Sequence, residues 1–221
     1  MKAVIFDMDG VLIDSFVNHW KGYDAVMKKR FGFNVGKKEF LKLFGGDPRD
    51  ITRKLLENHV ITGRQDIEGI YDEKKKVYER YCRQGIVVFP GVFETLDGLK
   101  GRGAKIALAS SSSKETVESM MKATKLGVKF DAVVGLEDVE KGKPNPDLFL
   151  KAAERLKVRP EDCWVVEDSL PGVEAGKKAG MKVIGVQTGF RTRVELEKAG
   201  ADLVVENLEN LKLEDLKTTN E

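Results

Sequence analysis

Two aspartates one residue apart, Asp7 and Asp9, sit in the run Phe6-Asp7-Met8-Asp9-Gly10-Val11, directly after the apolar stretch Ala3-Val4-Ile5-Phe6. In an extended chain residues i and i+2 point to one face, so the two carboxylates share a side, and Gly10 lets the backbone turn sharply behind them. Carboxylates so crowded repel unless a proton or a cation relieves them. A polar loop after a strand is the plain reading of such a pair taken alone. Further polar clusters recur downstream: Ser110-Ser111-Ser112-Ser113, Lys141-Gly142-Lys143-Pro144 and Glu167-Asp168-Ser169. Each also has a plain reading, since serines cap helices, loop lysines are solvated and acidic pairs open turns.

Their placement argues for more. Each cluster follows a short β-branched or apolar run that reads as a buried strand: Ala3–Phe6, Ala104–Ala109, Ala132–Val134 and Cys163–Val166. In an open parallel sheet, ligands bind beyond the carboxyl ends of the strands. One sheet edge would then gather carboxylates, hydroxyls and an ammonium. Ser112 with Glu115 reads as a capping box for the next helix. Ser110, nearest the strand end, and Ser111 beside it read as ligand contacts. Lys143 is framed by Gly142, Pro144 and Pro146, which suits a positioned side chain. The chemistry such a set fits is phosphoryl transfer. An ionised aspartate can attack phosphorus, and a divalent cation and a lysine offset its repulsion from a dianionic phosphate. A second carboxylate can protonate the leaving oxygen and later activate water. Asp7, Asp9 and Asp168 offer the hard oxygen ligands that Mg²⁺ takes.

The elements that must position these groups fall into two kinds. Residues 16–84 read as helices: Phe16 to Phe31, a second starting at Asp47-Pro48-Arg49-Asp50, and a polar third from about Asp66 to Gln84. Asp47 suits an N-cap and Pro48 the first turn. The third helix carries Ile70, Tyr71, Val77, Tyr78 and Tyr81 as its apolar stripe. From Val87 onward strand and helix alternate, which predicts an α/β fold with a Rossmann-like parallel sheet covered on both faces. Asn145-Pro146 is expected to cap a helix running to Leu156, and Thr192 with Glu195 to form a capping box. The predicted division is a catalytic core of residues 1–15 and 85–221 with a helical domain, residues 16–84, inserted after the first strand. The run Gly172 to Lys178 faintly resembles a phosphate-binding P-loop but lacks its spacing and its Ser or Thr, so helix–sheet packing is expected there.

Composition narrows the function classes. The 221 residues suffice for such a two-part chain, and 41% hydrophobic content can build a core. With 38 Lys and Arg against 36 Asp and Glu, the net charge of +2 leaves no footprint for nucleic acid and no basic block for a membrane surface. The first apolar run stops at Asp7, too short for a signal peptide or a membrane span, so a cytoplasmic location is expected. Cys82 and Cys163 are expected to be reduced. A monomer or weak dimer acting on a small phosphorylated metabolite is the expectation.

These motifs closely resemble those of the haloacid dehalogenase superfamily of phosphohydrolases. Asp7-Met8-Asp9-Gly10-Val11-Leu12 looks like its first motif, Ala109-Ser110 its second, Lys143-Pro144 its third and Glu167-Asp168 its fourth. The helical insertion resembles the family's type-1 cap. The resemblance implies that Asp7 is the nucleophile and Asp9 the general acid/base, with Ser110 and Lys143 holding the phosphoryl group. It implies Mg²⁺ on the Asp7 side chain, the Asp9 carbonyl and the Asp168 side chain, with Glu167 a ligand or a support for one. Within the superfamily the chain looks most like the β-phosphoglucomutase-like and phosphatase branch. His19, in Asp14-Ser15-x-x-x-His19, sits where that mutase has a histidine that helps control Asp9. Arg49 resembles its second-phosphate arginine, and Lys74, in Lys74-x-x-x-Tyr78, weakly its cap lysine, with the spacing to Pro90-Gly91 departing slightly. On plain readings His19 pairs with Asp14 or the core, and Arg49 only completes a helix turn. The expected function is a Mg²⁺-dependent phosphatase forming an aspartyl-phosphate. A sugar phosphomutase and a catalytically silent metabolite-binding protein are the alternatives.

Overall fold

The computed structural model describes residues 2–216. Its sheet consists of β1 (Ala3–Phe6), β4 (Lys105–Ala109), β5 (Ala132–Val134), β6 (Cys163–Glu167), β7 (Lys182–Val186) and β8 (Leu203–Val205), with β2 (Ile13–Asp14) and β3 (Val87–Val88) forming a separate two-stranded ribbon. Strand order in the sheet is β5-β4-β1-β6-β7-β8, and every pairing is parallel. The chain runs outward from β1 through β4 to β5, then returns to the other side of β1 at β6. The order therefore reverses at β1, the place where an open α/β sheet forms a crevice. Asp7 and Asp9 follow β1 at that point.

Continuous apolar runs fit this position, because both sides of each strand are covered. Ala3, Val4, Ile5 and Phe6 are all fully buried. Val4 and Phe6 face one apolar layer, with Leu96 and Leu99 of α5 (Val92–Gly101) and Val117 and Met120 of α6 (Lys114–Thr124). Ala3 and Ile5 face the other, with Leu148 and Ala152 of α7 (Asp147–Leu156), Val173 of α8 (Leu170–Lys178) and Leu196 of α9 (Arg193–Ala199).

Between β2 and β3 lie α1 (Phe16–Phe31), α2 (Lys37–Leu43), α3 (Pro48–Asn58) and α4 (Ile67–Cys82). They close on an apolar cluster of their own, built on Phe16, Tyr23, Phe40, Leu55 and Ile70. No helix among the described residues is long and apolar enough to cross a membrane.

The elements depart from the sequence reading in a few places. Helix α2 was not expected: its N-cap is Gly36, which offers no side-chain acceptor, and a single residue, Phe40, is fully buried. The β2–β3 ribbon pairs Ile13 with Val88 and Asp14 with Val87, two residues per strand, too short to leave a pattern. Ser113, not Ser112, caps α6, its hydroxyl accepting from the Thr116 N–H at 3.3 Å. Asn145 does not cap α7; its amide donates to the Gly142 carbonyl at 3.0 Å and Pro146 takes the cap position. Asp47 caps α3, and Thr192 and Glu195 form the expected capping box on α9.

Ile5 tests the central strand. Replacing it with alanine removes buried methylenes between two helical layers. We expect Ile5→Ala to destabilise the chain by about 2–5 kcal/mol, read as a lower urea midpoint at unchanged slope. A midpoint within error of the parent chain would contradict the burial on both faces.

Candidate active site

The turn after β1 is held from both sides. The Asp7 N–H donates to the Val166 carbonyl of β6 at 3.0 Å, and the Gly10 N–H to the Ile13 carbonyl at 2.9 Å. Gly10 adopts φ +87°, and a Cβ there would fall 2.1 Å from an Asp168 oxygen. A Cβ on Gly189 would fall 1.7 Å from the same oxygen. Asp168 is thus seated in a cradle that only side-chain-free backbone permits.

Lys143 is 1% exposed, and its ammonium lies 2.5 Å from Asp7 Oδ1 and 2.5 Å from Glu167 Oε1. Glu167 Oε2 accepts from the Asp168 N–H at 3.1 Å, the Ser169 N–H at 3.2 Å and the Ser169 hydroxyl at 2.9 Å. Its acceptor capacity is thereby largely spent. Both carboxylate oxygens of Asp168 are buried with no hydrogen-bond partner. Oxygens of Asp7, Glu167 and Asp168 lie within 4.8 Å of one another. Burial pushes the Asp7 carboxyl well up, with Glu167 and Asp9 adding to it and Lys143 opposing. Burial likewise pushes Asp168 well up, with Glu167 and Asp7 adding. An acidic cluster with an orphaned, buried carboxylate fits a divalent cation, which would supply the missing partner.

Asp9 occupies a different environment. Its Oδ1 accepts from the Ser15 hydroxyl at 2.5 Å, from His19 Nε2 at 3.1 Å and from the Tyr78 hydroxyl at 3.3 Å. Oδ2 accepts from the Ser112 hydroxyl at 3.3 Å. Burial raises the Asp9 carboxyl, but His19, Ser15 and Lys74 outweigh it and lower the pKa to about 2. On its far side, His19 Nδ1 lies 2.6 Å from the Lys74 ammonium. Burial brings Lys74 down to about 8, with Asp9 opposing, so it is mainly protonated near neutrality. An ammonium can only donate, so Nδ1 accepts, Nε2 carries the proton, and that proton is donated to Asp9. Burial, then Lys74, lowers the His19 pKa. The imidazole stacks on Tyr78 with ring centres 3.9 Å apart.

Asp7, Asp9, His19, Lys74, Ser111 and Lys143 line one cavity. Its solvent-accessible volume is about 50 Å³. Side chains of α1 to α4 line it together with residues from the strand ends. Ser110 does not line this cavity. Its hydroxyl accepts from the Ser112 N–H at 3.0 Å and so shapes the turn. The Ser111 hydroxyl is buried without a partner and does line it, as does Ser112. Arg49 turns away: its guanidinium pairs with Glu68, Nε to Oε1 at 2.5 Å and Nη2 to Oε2 at 2.9 Å. His19 pairs with Asp9 rather than Asp14. Sequence reasoning missed Ser15 and Tyr78 as partners of Asp9 and took Ser112 for a cap alone. Tyr78 carried one usable signal, its position one helical turn after Lys74.

Comparison with known proteins identifies the family. A family model described as haloacid dehalogenase-like hydrolase matches residues 4–186. The chain is 35% identical over 226 residues to the Arabidopsis thaliana bifunctional riboflavin kinase/FMN phosphatase, covering 96% of this chain and 55% of that protein. It thus spans about half the length of that relative. It is 33% identical over 218 residues to the phosphorylated carbohydrates phosphatase of Thermotoga maritima, covering 96% of this chain and 98% of the relative. Identity to Bacillus subtilis beta-phosphoglucomutase is 34% over 224 residues, covering 97% and 93%. A solved hydrolase from Pseudomonas syringae matches with a TM-score of 0.88 at 27% identity, covering 96% of each chain. The chain belongs to the haloacid dehalogenase-like hydrolase family, as an enzyme of the class that hydrolyses phosphoric monoesters.

Proposed function

We propose that this chain is a Mg²⁺-dependent phosphatase of small phosphorylated metabolites that works through a phosphorylated Asp7. The observation that carries this reading is the division of the carboxylates. Asp7 sits with Lys143 and the orphaned Asp168, while Asp9 is held apart by hydroxyls and an imidazole. Two carboxylates in unlike environments suit two roles, one as nucleophile and one as acid and base. Asp7 attacks phosphorus as the bond to the leaving oxygen breaks, and Lys143 offsets charge on the transferring group. Asp9 gives the leaving oxygen its proton, then takes a proton from the water that attacks phospho-Asp7. The hydrogen bonds that keep Asp9 ionised suit the second half of this cycle. The first half needs a protonated Asp9 and therefore a loosened network.

Asp7 and Asp168 would hold Mg²⁺ by their side chains and Asp9 by its main-chain carbonyl. When bound, the cation supplies charge neutralisation between the nucleophile and the phosphate. Glu167, already committed to Lys143 and Ser169, acts by holding those groups rather than the ion. Ser111 and Ser112 face the phosphate, with Ser110 shaping their turn. Residues 16–84 serve as a cap domain on a core of residues 1–15 and 85–221, closing to exclude bulk water. A phosphomutase reading draws on the Bacillus subtilis relative and on the Lys74–His19–Asp9 chain.

Asp7→Asn, nearly isosteric but unable to form a phospho-enzyme, should lower kcat by at least about a thousandfold, about 4 kcal/mol of barrier, with an unchanged circular dichroism spectrum. Retention of a tenth or more of the activity would refute covalent catalysis at Asp7. The assay follows phosphate release from an aryl phosphate and from β-glucose 1-phosphate with a bisphosphate primer. Glucose 6-phosphate forming faster than phosphate is released from any substrate would favour the mutase.

The metal assignment is tested separately. Asp168→Ala should weaken Mg²⁺ binding in calorimetry by about 10-fold or more, and a chelator should abolish turnover reversibly. Full turnover in excess chelator would sink the assignment. Ca²⁺ should support activity poorly, because it prefers more ligands in looser geometry.

A further inference from the structure

Asp168 directly follows β6, and its two carboxylate oxygens are buried with no hydrogen-bond partner. The aim of this side chain is therefore set by the backbone packed around it. Gly10, after β1, forms one wall of that packing, and Gly189, in the turn Gln187–Gly189 after β7, forms another. In the sheet β6 runs between β1 and β7, so the two walls come from strands on either side of the one that leads to Asp168. The Thr188 side chain joins them: its hydroxyl donates to the Gly10 carbonyl at 2.5 Å. The peptide on the other side of the Gly10 Cα carries the Asp9 carbonyl. The turn is also seated from outside. Phe190 holds φ +78°, a left-handed conformation rare for a residue with a Cβ, and its ring centre lies 4.6 Å from that of Phe16 in α1. The Arg191 guanidinium next to it donates to the Leu41 carbonyl at 2.8 Å.

We propose that Thr188 is a positioning residue for the cation site: by tying the turn after β7 to the turn after β1, it fixes both the gap that holds Asp168 and the peptide that carries the Asp9 carbonyl. These are two of the groups assigned above to Mg²⁺, and the proposal rests on that assignment. Thr188 acts through Gly10 and Gly189 rather than as a ligand. Groups that orient metal ligands from behind commonly set affinity by 10- to 100-fold, so a single hydroxyl in this place is consequential. The effect should depend on the cation. Mg²⁺ demands short bonds in near-ideal octahedral geometry, whereas Ca²⁺ accepts longer bonds and looser arrangements. A site whose two ligand-bearing turns are no longer tied together therefore loses Mg²⁺ more than Ca²⁺.

The test is calorimetry of the full chain with Mg²⁺ and, separately, with Ca²⁺. Thr188→Val keeps the outline of the side chain and removes its donor. With an unchanged circular dichroism spectrum, it should raise the Mg²⁺ Kd by at least about fivefold. The preference for Mg²⁺ over Ca²⁺ should fall by at least about threefold, which a merely structural loss, weakening both cations alike, would not produce. Thr188→Ser restores the hydroxyl and should bind Mg²⁺ within about threefold of the parent. If Thr188→Val does not fold, Phe190→Gly takes its place, since Phe190 is 55% exposed and glycine accepts its φ. Releasing the turn from Phe16 should meet the same two thresholds. A smaller rise in the Mg²⁺ Kd, an equal weakening of both cations, or a serine variant that does not recover overturns the inference. A parent chain that binds no Mg²⁺ would instead overturn the metal assignment, and this inference with it.

Discussion

The ammonium of Lys143, shared between Asp7 and Glu167, is the interaction on which this structure depends. Each of these groups is almost wholly buried, and Asp168 beside them is buried as well. Three carboxylates face one ammonium, an imbalance that a protein interior does not tolerate without a further positive charge. The fold accepts it because the strand ends place these residues where nothing else fits. A Cβ on Gly10, Gly189 or Gly172 would run into the carboxylates of Asp168 or Glu167. The backbone thus closes around the charges on several sides and leaves the Asp168 oxygens without protein partners. Such a centre is costly to maintain and marks a candidate functional site.

Asp9 shows what the helices between β2 and β3 add. Its neighbours come from both parts of the chain: Ser15 and Ser112 from segments next to the sheet, His19 from α1 and Tyr78 from α4. The lysine that orients His19 also comes from α4. A carboxylate that leans on the covering helices changes its proton affinity when they move. Helices α1 and α4 thus both reach the Asp9 carboxylate beyond the end of β1. Orienting His19 accounts for a lysine inside the buried stripe of α4, between Ile70, Tyr71, Tyr78 and Cys82. Burial there lowers its pKa, but the ammonium's contact with His19 and its position near the rings of Tyr23 and Tyr78 give it partners.

Much of the core was legible because its signals are local. Asp7 and Asp9 are two residues apart on a strand end, and each later cluster follows a run that is apolar on both faces. Asp47, Thr192 and Glu195 cap the helices they precede, since a cap is decided within one turn. What failed depends on partners far away in the chain. Four consecutive serines offer the same hydroxyl in adjacent registers, and the turn geometry alone assigns Ser110 to the backbone, Ser111 and Ser112 to the cavity and Ser113 to the helix cap. The β2–β3 ribbon is made by two residues meeting two others across the whole insertion. Arg49 reads as an anion binder by type, yet its fork is filled by Glu68, a residue of the next helix along.

The contacts that seat the helices on the core are of a reversible kind. Lys75 pairs with Glu115 at 2.8 Å, the Thr116 hydroxyl donates to Glu79 at 3.0 Å, and Arg191 donates to the Leu41 carbonyl at 2.8 Å. The Asp47 N–H reaches the carbonyl of Lys143 itself at 3.2 Å, and Phe16 meets Phe190 with ring centres 4.6 Å apart. Exposed ion pairs and single hydrogen bonds are each worth at most about 1–1.5 kcal/mol net, because water replaces them. The apolar cluster built on Phe16, Tyr23, Phe40, Leu55 and Ile70 is distinct from the two on the sheet, but Tyr78 and Cys82 of α4 pack into the sheet-side layer with Met8 and Ile13. The Asp47 contact ties the seating of α3 to the backbone of the lysine that neutralises Asp7.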